Sequence, residues 1–328
     1  MSYQAEKDRI ERKIRIAKTV ALGIVLALVV GLCVFSAFCS PSSWKYYVQK
    51  PSVTKRAEGD LRIHFLDVGQ GDCTLIELPD GKVALIDGAD GMESSAKTIL
   101  RYMNALKIKT IDFLIVTHTD KDHCGALAEI IRQKTVLNAY LPAANPENEG
   151  ETYAGFYQAL LEENCVYQYA SRGVVMADGE YDFRFLYPYK QTIDAEEPYK
   201  GKSCVIWLDY KGVSTLLTGD ATAETEQKLV QEDELGLLEN CGVDLTSVEI
   251  LKLGHHGSNY SSAAEFLQYI HVKTAVASCG ENNLYGHPAD EVVARVEECG
   301  AELYRTDKNG TVMITVKGSD GYAVRTEK

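Results

Sequence analysis

Thr117-His-Thr-Asp-Lys-Asp-His-Cys-Gly125 places four candidate metal ligands, His118, Asp120, Asp122 and His123, within six positions. Charged side chains at that density are not buried without a cation to hold them. The preceding stretch, Ile111-Asp-Phe-Leu-Ile-Val-Thr117, is short, β-branched and apolar, and reads as a buried strand. The following stretch, Gly125-Ala-Leu-Ala-Glu-Ile-Ile131, reads as the start of a helix. The cluster therefore falls on a strand-to-helix loop, where side chains converge on one point. Carboxylate oxygen and imidazole nitrogen are ligands for zinc, manganese or iron. The loop is read as the core of a hydrolytic metal site.

Outward from this loop, strand and helix patterns alternate. Residues 61–67 alternate as a strand, Val68-Gly-Gln-Gly-Asp72 is a tight glycine turn, and residues 73–78 and 82–87 pair around Pro79-Asp-Gly81. Residues 95–106 and 150–164 read as helices, and 183–187 as a strand. Residues 203–210 and 213–218 form a hairpin at Lys211-Gly212 and run into Gly219-Asp220. A helix over 223–232 follows, then a strand over 248–253 that ends at Gly254-His-His-Gly-Ser258. Helices over 262–270 and 288–299 and strands over 274–278, 302–306 and 311–316 complete the pattern. Two sheets with helices outside them, a four-layer αββα sandwich of the α+β class, accommodate this order. Paired histidines at a strand end point to metal or substrate for His255 and His256. Asp220 reads as a ligand, with a helix N-cap as the rival role. His64 alternates with apolar strand residues and reads as structural.

The chain has 328 residues, 45% apolar and 25% charged, with a net charge of −13. Such a surface repels polyanions at long range and argues against broad nucleic-acid binding. Residues 19–38 carry no charge, and twenty apolar residues in a helix span about 30 Å, the bilayer core. Basic residues crowd the N-terminal flank, so the positive-inside rule leaves the N-terminus in the cytoplasm. The expected organisation is a cytoplasmic stub over 1–18, a single transmembrane signal anchor over 19–39, a linker over 40–59 and one globular domain over 60–328, outside the cell. The cysteines beyond Cys39 show no CxxC or paired spacing and read as reduced thiols.

Seven segments occur together in the order of a known family: Phe65-Leu-Asp-Val-Gly-Gln-Gly-Asp72, Leu85-Ile-Asp-Gly88, Thr117-His-Thr-Asp-Lys-Asp-His123, Leu217-Thr-Gly-Asp220, Gly254-His-His-Gly-Ser258, Tyr285-Gly-His-Pro288 and Tyr304-Arg-Thr-Asp307. On these the chain resembles the metallo-β-lactamase superfamily, and within it the ComEC-like branch of DNA-uptake hydrolase domains. The resemblance implies two divalent metal ions, zinc or manganese. It implies His118 and Asp120 as ligands of the first metal, Asp122 and His123 of the second, and Asp220 as the bridge. His255 resembles the last ligand of the second metal, with His256 as its substitute. Asp120 stands where lactamases carry a histidine, which shifts preference toward harder ions such as manganese. A further histidine expected before Gly219-Asp220 is missing, because Lys202-Ser-Cys-Val205 occupies that region. Asp67 and Asp87 resemble supporting residues.

The activity implied is a membrane-anchored phosphodiesterase or nuclease using a metal-bound hydroxide, with DNA or another phosphodiester as substrate. Asp122 would orient the nucleophile, Ser258 would add a hydroxyl donor, and His287 would serve as substrate donor or proton relay. Backbone N–H groups at the helix after Ser261 would hold a phosphate oxygen. A phosphocholine esterase of cell-wall polymers and a non-catalytic binding module retaining the fold are the alternative readings. Tyrosines 153, 157, 167, 169, 181, 187 and 189 are candidates for stacking on substrate.

Overall fold

A computed structural model of the chain describes residues 3–38, 41–177, 179–189, 203–317 and 321–328. Cys39, Ser40 and Lys202, which enter the readings above, lie outside the described residues. The chain divides into two compact units, Met1–Gln49 and Lys50–Lys328. In the first, helix α1 (Tyr3–Phe38) contains a stretch, Glu6–Ser36, long and apolar enough to cross a membrane. A 3₁₀ turn over Pro41–Tyr46 follows, and its Trp44 ring packs 5.5 Å from Phe35.

The second unit contains the sheets. Its first half holds β1 (Leu61–Phe65), β2 (Thr74–Glu77), β3 (Val83–Ile86), α2 (Glu93–Ala105), β4 (Thr110–Ile115), α3 (Lys121–Cys124), α4 (Leu127–Gln133), β5 (Thr135–Leu141), α5 (Gly150–Glu162) and β6 (Val166–Tyr169). Its second half holds β7 (Val175–Ala177), β8 (Asp182–Tyr187), β9 (Val205–Tyr210), β10 (Val213–Leu217), α6 (Ala223–Glu234), β11 (Val248–Lys252), α7 (Ala264–Ile270), β12 (Thr274–Ala277), α8 (Asp290–Glu298), β13 (Glu302–Arg305), α9 (Thr306–Asn309), β14 (Val312–Val316) and β15 (Tyr322–Thr326). One sheet runs in the order β15-β14-β1-β2-β3-β4-β5-β6, the other β13-β12-β11-β10-β9-β8-β7. The αββα expectation holds.

Alternation of side chains explains the layering. In β9, Ile206 and Leu208 turn into the core between the sheets, while Val205 and Trp207 turn toward the helices. Leu61, Ile63 and Phe65 of β1 meet the same central core, joined by Phe183, Phe185, Ile250 and Val276 from the other sheet. The period of two in each strand thus produces a core between the sheets and further cores beneath the helices, one under α6, α7 and α8 and one under α2, α4 and α5. The β9–β10 hairpin turns at Lys211 and Gly212, both at positive φ, as a two-residue turn matching the strand twist requires.

The segment expected as a linker is divided between the units. Residues 50–59 belong with the sheets, where Arg62 donates to the carbonyls of Thr54 and Lys55. Strands β5, β6, β7 and β15 are additional to the sequence pattern. β6 and β7 are short, and β5 has exposed positions in mid-strand, so none shows a long apolar period.

Candidate metal centre

The parallel pairs β3–β4 and β10–β11–β12 run their carboxyl ends toward one place, the position where open sheets bind ligands. Asp87 follows β3, His118 to His123 follow β4, Asp220 follows β10, and His255 and His256 follow β11. The β4 segment ends in a short helical turn, α3, rather than an open loop, and it carries Asp122 and His123. Gly71 and Gly125 let the neighbouring backbones close on this turn. A Cβ at Gly71 would lie 2.3 Å from the carbonyl oxygen of Asp122, and one at Gly125 would lie 2.2 Å from Gly91 N.

The two carboxylate oxygens of Asp220 face different partners. Oδ2 lies 3.6 Å from His118 Nε2 and 3.6 Å from His255 Nε2. Oδ1 lies 3.2 Å from His123 Nε2 and 3.9 Å from His256 Nε2. Asp120 sits 3.7 Å from His118 Nε2, and Asp122 sits 3.2 Å from His256 Nε2. Thus His256, not His255, stands beside Asp122, and His255 is on the His118 side. Both histidines adopt left-handed backbone, φ 49° and 58°, which turns the adjacent rings 62° apart. Left-handed backbone costs about 1–3 kcal/mol per non-glycine residue and persists where surrounding contacts enforce it. Here His255 N–H donates to Gly219 O, and Ser261 Oγ donates to Ala221 O.

A second layer orients these rings. Asp87 accepts from His123 Nδ1 at 2.8 Å, from Thr117 N–H at 2.8 Å and from Thr117 Oγ1 at 2.7 Å. His256 Nδ1 bonds the carbonyl of Ser278 at 3.0 Å and lies 3.4 Å from Asp72. Asp72 is itself paired with the buried Lys252 at 2.7 Å. Asp67 instead takes a turn N–H from Gly69 and an ion pair with Lys328. Asp72 and Lys252 were not singled out in the sequence, although Gly-Asp after a glycine turn was the available signal. Asp72, His123, Asp220 and His256 bring one ligand atom each within 4.8 Å of the others.

The donor set fits a divalent cation. The Nε2 atoms of His118, His123 and His256 and Asp220 Oδ1 are buried without hydrogen-bond partners, an arrangement that is costly without a bound partner. Burial, helped by the neighbouring His123, holds His118 down at about 4, so it is a neutral imidazole at neutral pH. Burial opposes the charge of Asp220, but His123 and the other imidazoles outweigh it and hold the carboxyl well below its ordinary range. Burial likewise opposes protonation of His256, yet Asp72 and Asp122 bring it up to about 9.

Several sequence expectations fall elsewhere. Asp220 does not cap α6, whose N-cap is Thr222, and its own N–H donates to Ser203 Oγ. The N–H groups before α7 are not open to phosphate, because Ser262 and Ala263 donate to the buried carboxylate of Glu226 at 2.6 and 3.0 Å. Ser258 is buried, and its Oγ accepts from Tyr260 N–H. His287 is brought in: its ring stacks on His256 at 6.2 Å and lies 5.6 Å from His255. His64 is structural, bonded to Tyr102 and Glu77. Tyr153 is buried against Phe156, and Tyr157 bonds Tyr167, so these tyrosines pack rather than stack on ligand.

Fold and site together define a class: the chain belongs to the metallo-β-lactamase superfamily, whose model matches residues 66–281. Within it the similarity is to ComEC-like proteins. The chain is 30% identical over 83% of its length to ComE operon protein 3 of Bacillus subtilis, covering 34% of that protein. It is 33% identical over 78% of its length to competence protein ComA of Neisseria gonorrhoeae (32% of that protein), and 28% over 77% to recombination protein 2 of Haemophilus influenzae (28%). It therefore spans about a third of the length of the curated relatives it matches.

Proposed function

We propose that this chain is a membrane-anchored phosphodiesterase or nuclease acting outside the cytoplasm through two divalent metal ions. The observation that carries the reading is Asp220, which turns one oxygen to His118 and His255 and the other to His123 and His256. On this reading His118, Asp120, Asp220 and His255 hold one cation, and Asp122, His123, Asp220 and His256 the other. His255 then supplies the nitrogen that the 202–205 region lacks. When bound, such cations supply Lewis acidity, acidifying water and stabilising charge that develops on a phosphoryl group.

The remaining roles belong to the chain. Asp87 fixes the ring of His123, and Ser278 and Asp72 fix that of His256, leaving Nε2 of each free to ligate. Asp122, more open than Asp220, orients the attacking group. His287 lies beside the rings of His255 and His256, and its buried Nδ1 has no partner. Burial and the two neighbouring histidines lower its pKa, which suits a neutral donor or relay. The apolar span of α1 is the anchor, with basic residues 7–18 left in the cytoplasm.

The test is turnover of bis-p-nitrophenyl phosphate and short DNA by the full chain in detergent with manganese or zinc. Turnover lost on chelation and restored by metal is expected. No metal-dependent turnover on these or on choline-phosphate esters would defeat the proposal.

A further inference from the structure

Three large apolar side chains stand exposed on the loops that carry the histidines: Tyr260 at 78%, Leu284 at 100% and Tyr285 at 70%. None of them lies on a loose segment. Asn283 ties its loop by donating to the carbonyls of Gly280 and His287 and accepting from His287 N–H. Ala289 N–H donates to Gly257 O, and a Cβ at Gly257 would meet Pro288 at 2.5 Å, so this loop is seated on the histidine loop. Tyr260 is fixed through its carbonyl, which accepts from Ala223 N–H.

The rings form a row. Tyr285 stacks on His287 with centroids 5.7 Å apart and planes 22° apart, and His287 stacks on His256 at 6.2 Å and 24°. A row of near-parallel rings is extended by another flat ring. A quaternary ammonium instead needs ring faces that converge on it from several sides. We infer that Tyr285 is a stacking platform for a nucleobase of a strand bound at this site, set two rings away from His256. The inference rests on the phosphodiesterase reading above. Duplex bases are already stacked and paired, so the platform favours an unpaired strand or end. With a net charge of −13, attraction to phosphate contributes little, and contact with the base must carry more of the binding.

The experiment is fluorescence anisotropy of a labelled single-stranded phosphorothioate oligonucleotide with the full chain, its Tyr285→Ala and Tyr285→Phe variants, and strands bearing one abasic nucleotide at successive positions. Tyr285→Ala should weaken the intact strand about tenfold, equivalent to about 1.4 kcal/mol, and Tyr285→Phe should retain binding. The strand whose abasic nucleotide falls at the platform should lose as much and lose nothing further in Tyr285→Ala. Unchanged binding in Tyr285→Ala, or no binding of any strand by the wild type, would overturn the inference. So would phosphocholine competing through Tyr285 while the oligonucleotide is unaffected. Binding is read without turnover, so a chain that binds through Tyr285 but hydrolyses no phosphodiester would defeat the functional reading and leave this one standing.

Discussion

His255 and His256 are neighbours in sequence and opposites in environment. The side chain of His256 is 2% exposed and backed by Ser278, Asp72 and Lys252. That of His255 is 40% exposed, and its companion Asp120 is 73% exposed. One half of the centre is thus prebuilt and closed, with oriented rings, and the other opens to solvent. On the proposed reading the buried half would retain a cation, and the open half would be where a cation exchanges and a substrate enters. The neighbouring groups also separate the carboxylates. Asp120 is raised by burial and by Asp122, whereas Asp122, which burial also opposes, is held low by His256 beside it.

Four experiments would break or sharpen this contrast. Asp220→Ala touches both halves, so both cations should be lost and turnover should fall about a thousandfold. Metal content by mass spectrometry alongside initial rates checks it, and retention of either cation would refute the shared role. Lys252→Met removes the ammonium paired with buried Asp72 and leaves only His256 beside it, and should cost about 3–5 kcal/mol of stability in the metal-free chain. Chemical denaturation measures this, and adding Asp72→Asn should recover much of the loss.

The third comparison separates the halves directly. His256→Ala should abolish the tighter of two binding steps in a calorimetric metal titration, and His255→Ala the weaker one. Equal effects would show that burial does not divide the site. The smallest effect concerns Glu226, which clamps the histidine loop to α6. Burial outweighs its two N–H bonds and raises its carboxyl from 4.5 to about 7. Between those values the folded state keeps a proton that the unfolded chain has released, so stability is full at the lower pH and declines as pH rises toward about 7. Melting temperatures across that window should fall in the wild type and stay flat in Glu226→Gln.

Much of the centre was legible in the chain. The 117–125 segment, Gly219-Asp220 and the paired histidines announce themselves, because ligands must be polar where the surrounding strand is apolar. Lys252 was not legible, since one lysine in an apolar strand carries no mark of what it will face. Glu226 was read only as part of a helix, and the helix end it closes was taken for a phosphate cradle. Tyr285 lies in the Tyr285-Gly-His-Pro288 segment with nothing in its residue type to mark it as exposed.

The sequence by itself determined the ligand types, the strand alternation that buries both faces of a sheet, and an apolar span of bilayer length, because these follow from local chemistry and period. Only the tertiary structure decided which histidine serves which oxygen of Asp220, and that Asp72 from one sheet meets Lys252 from the other. The physical reason is that two successive left-handed residues and a pairing across 180 positions depend on how two sheets close on one another, and no local pattern encodes that closure.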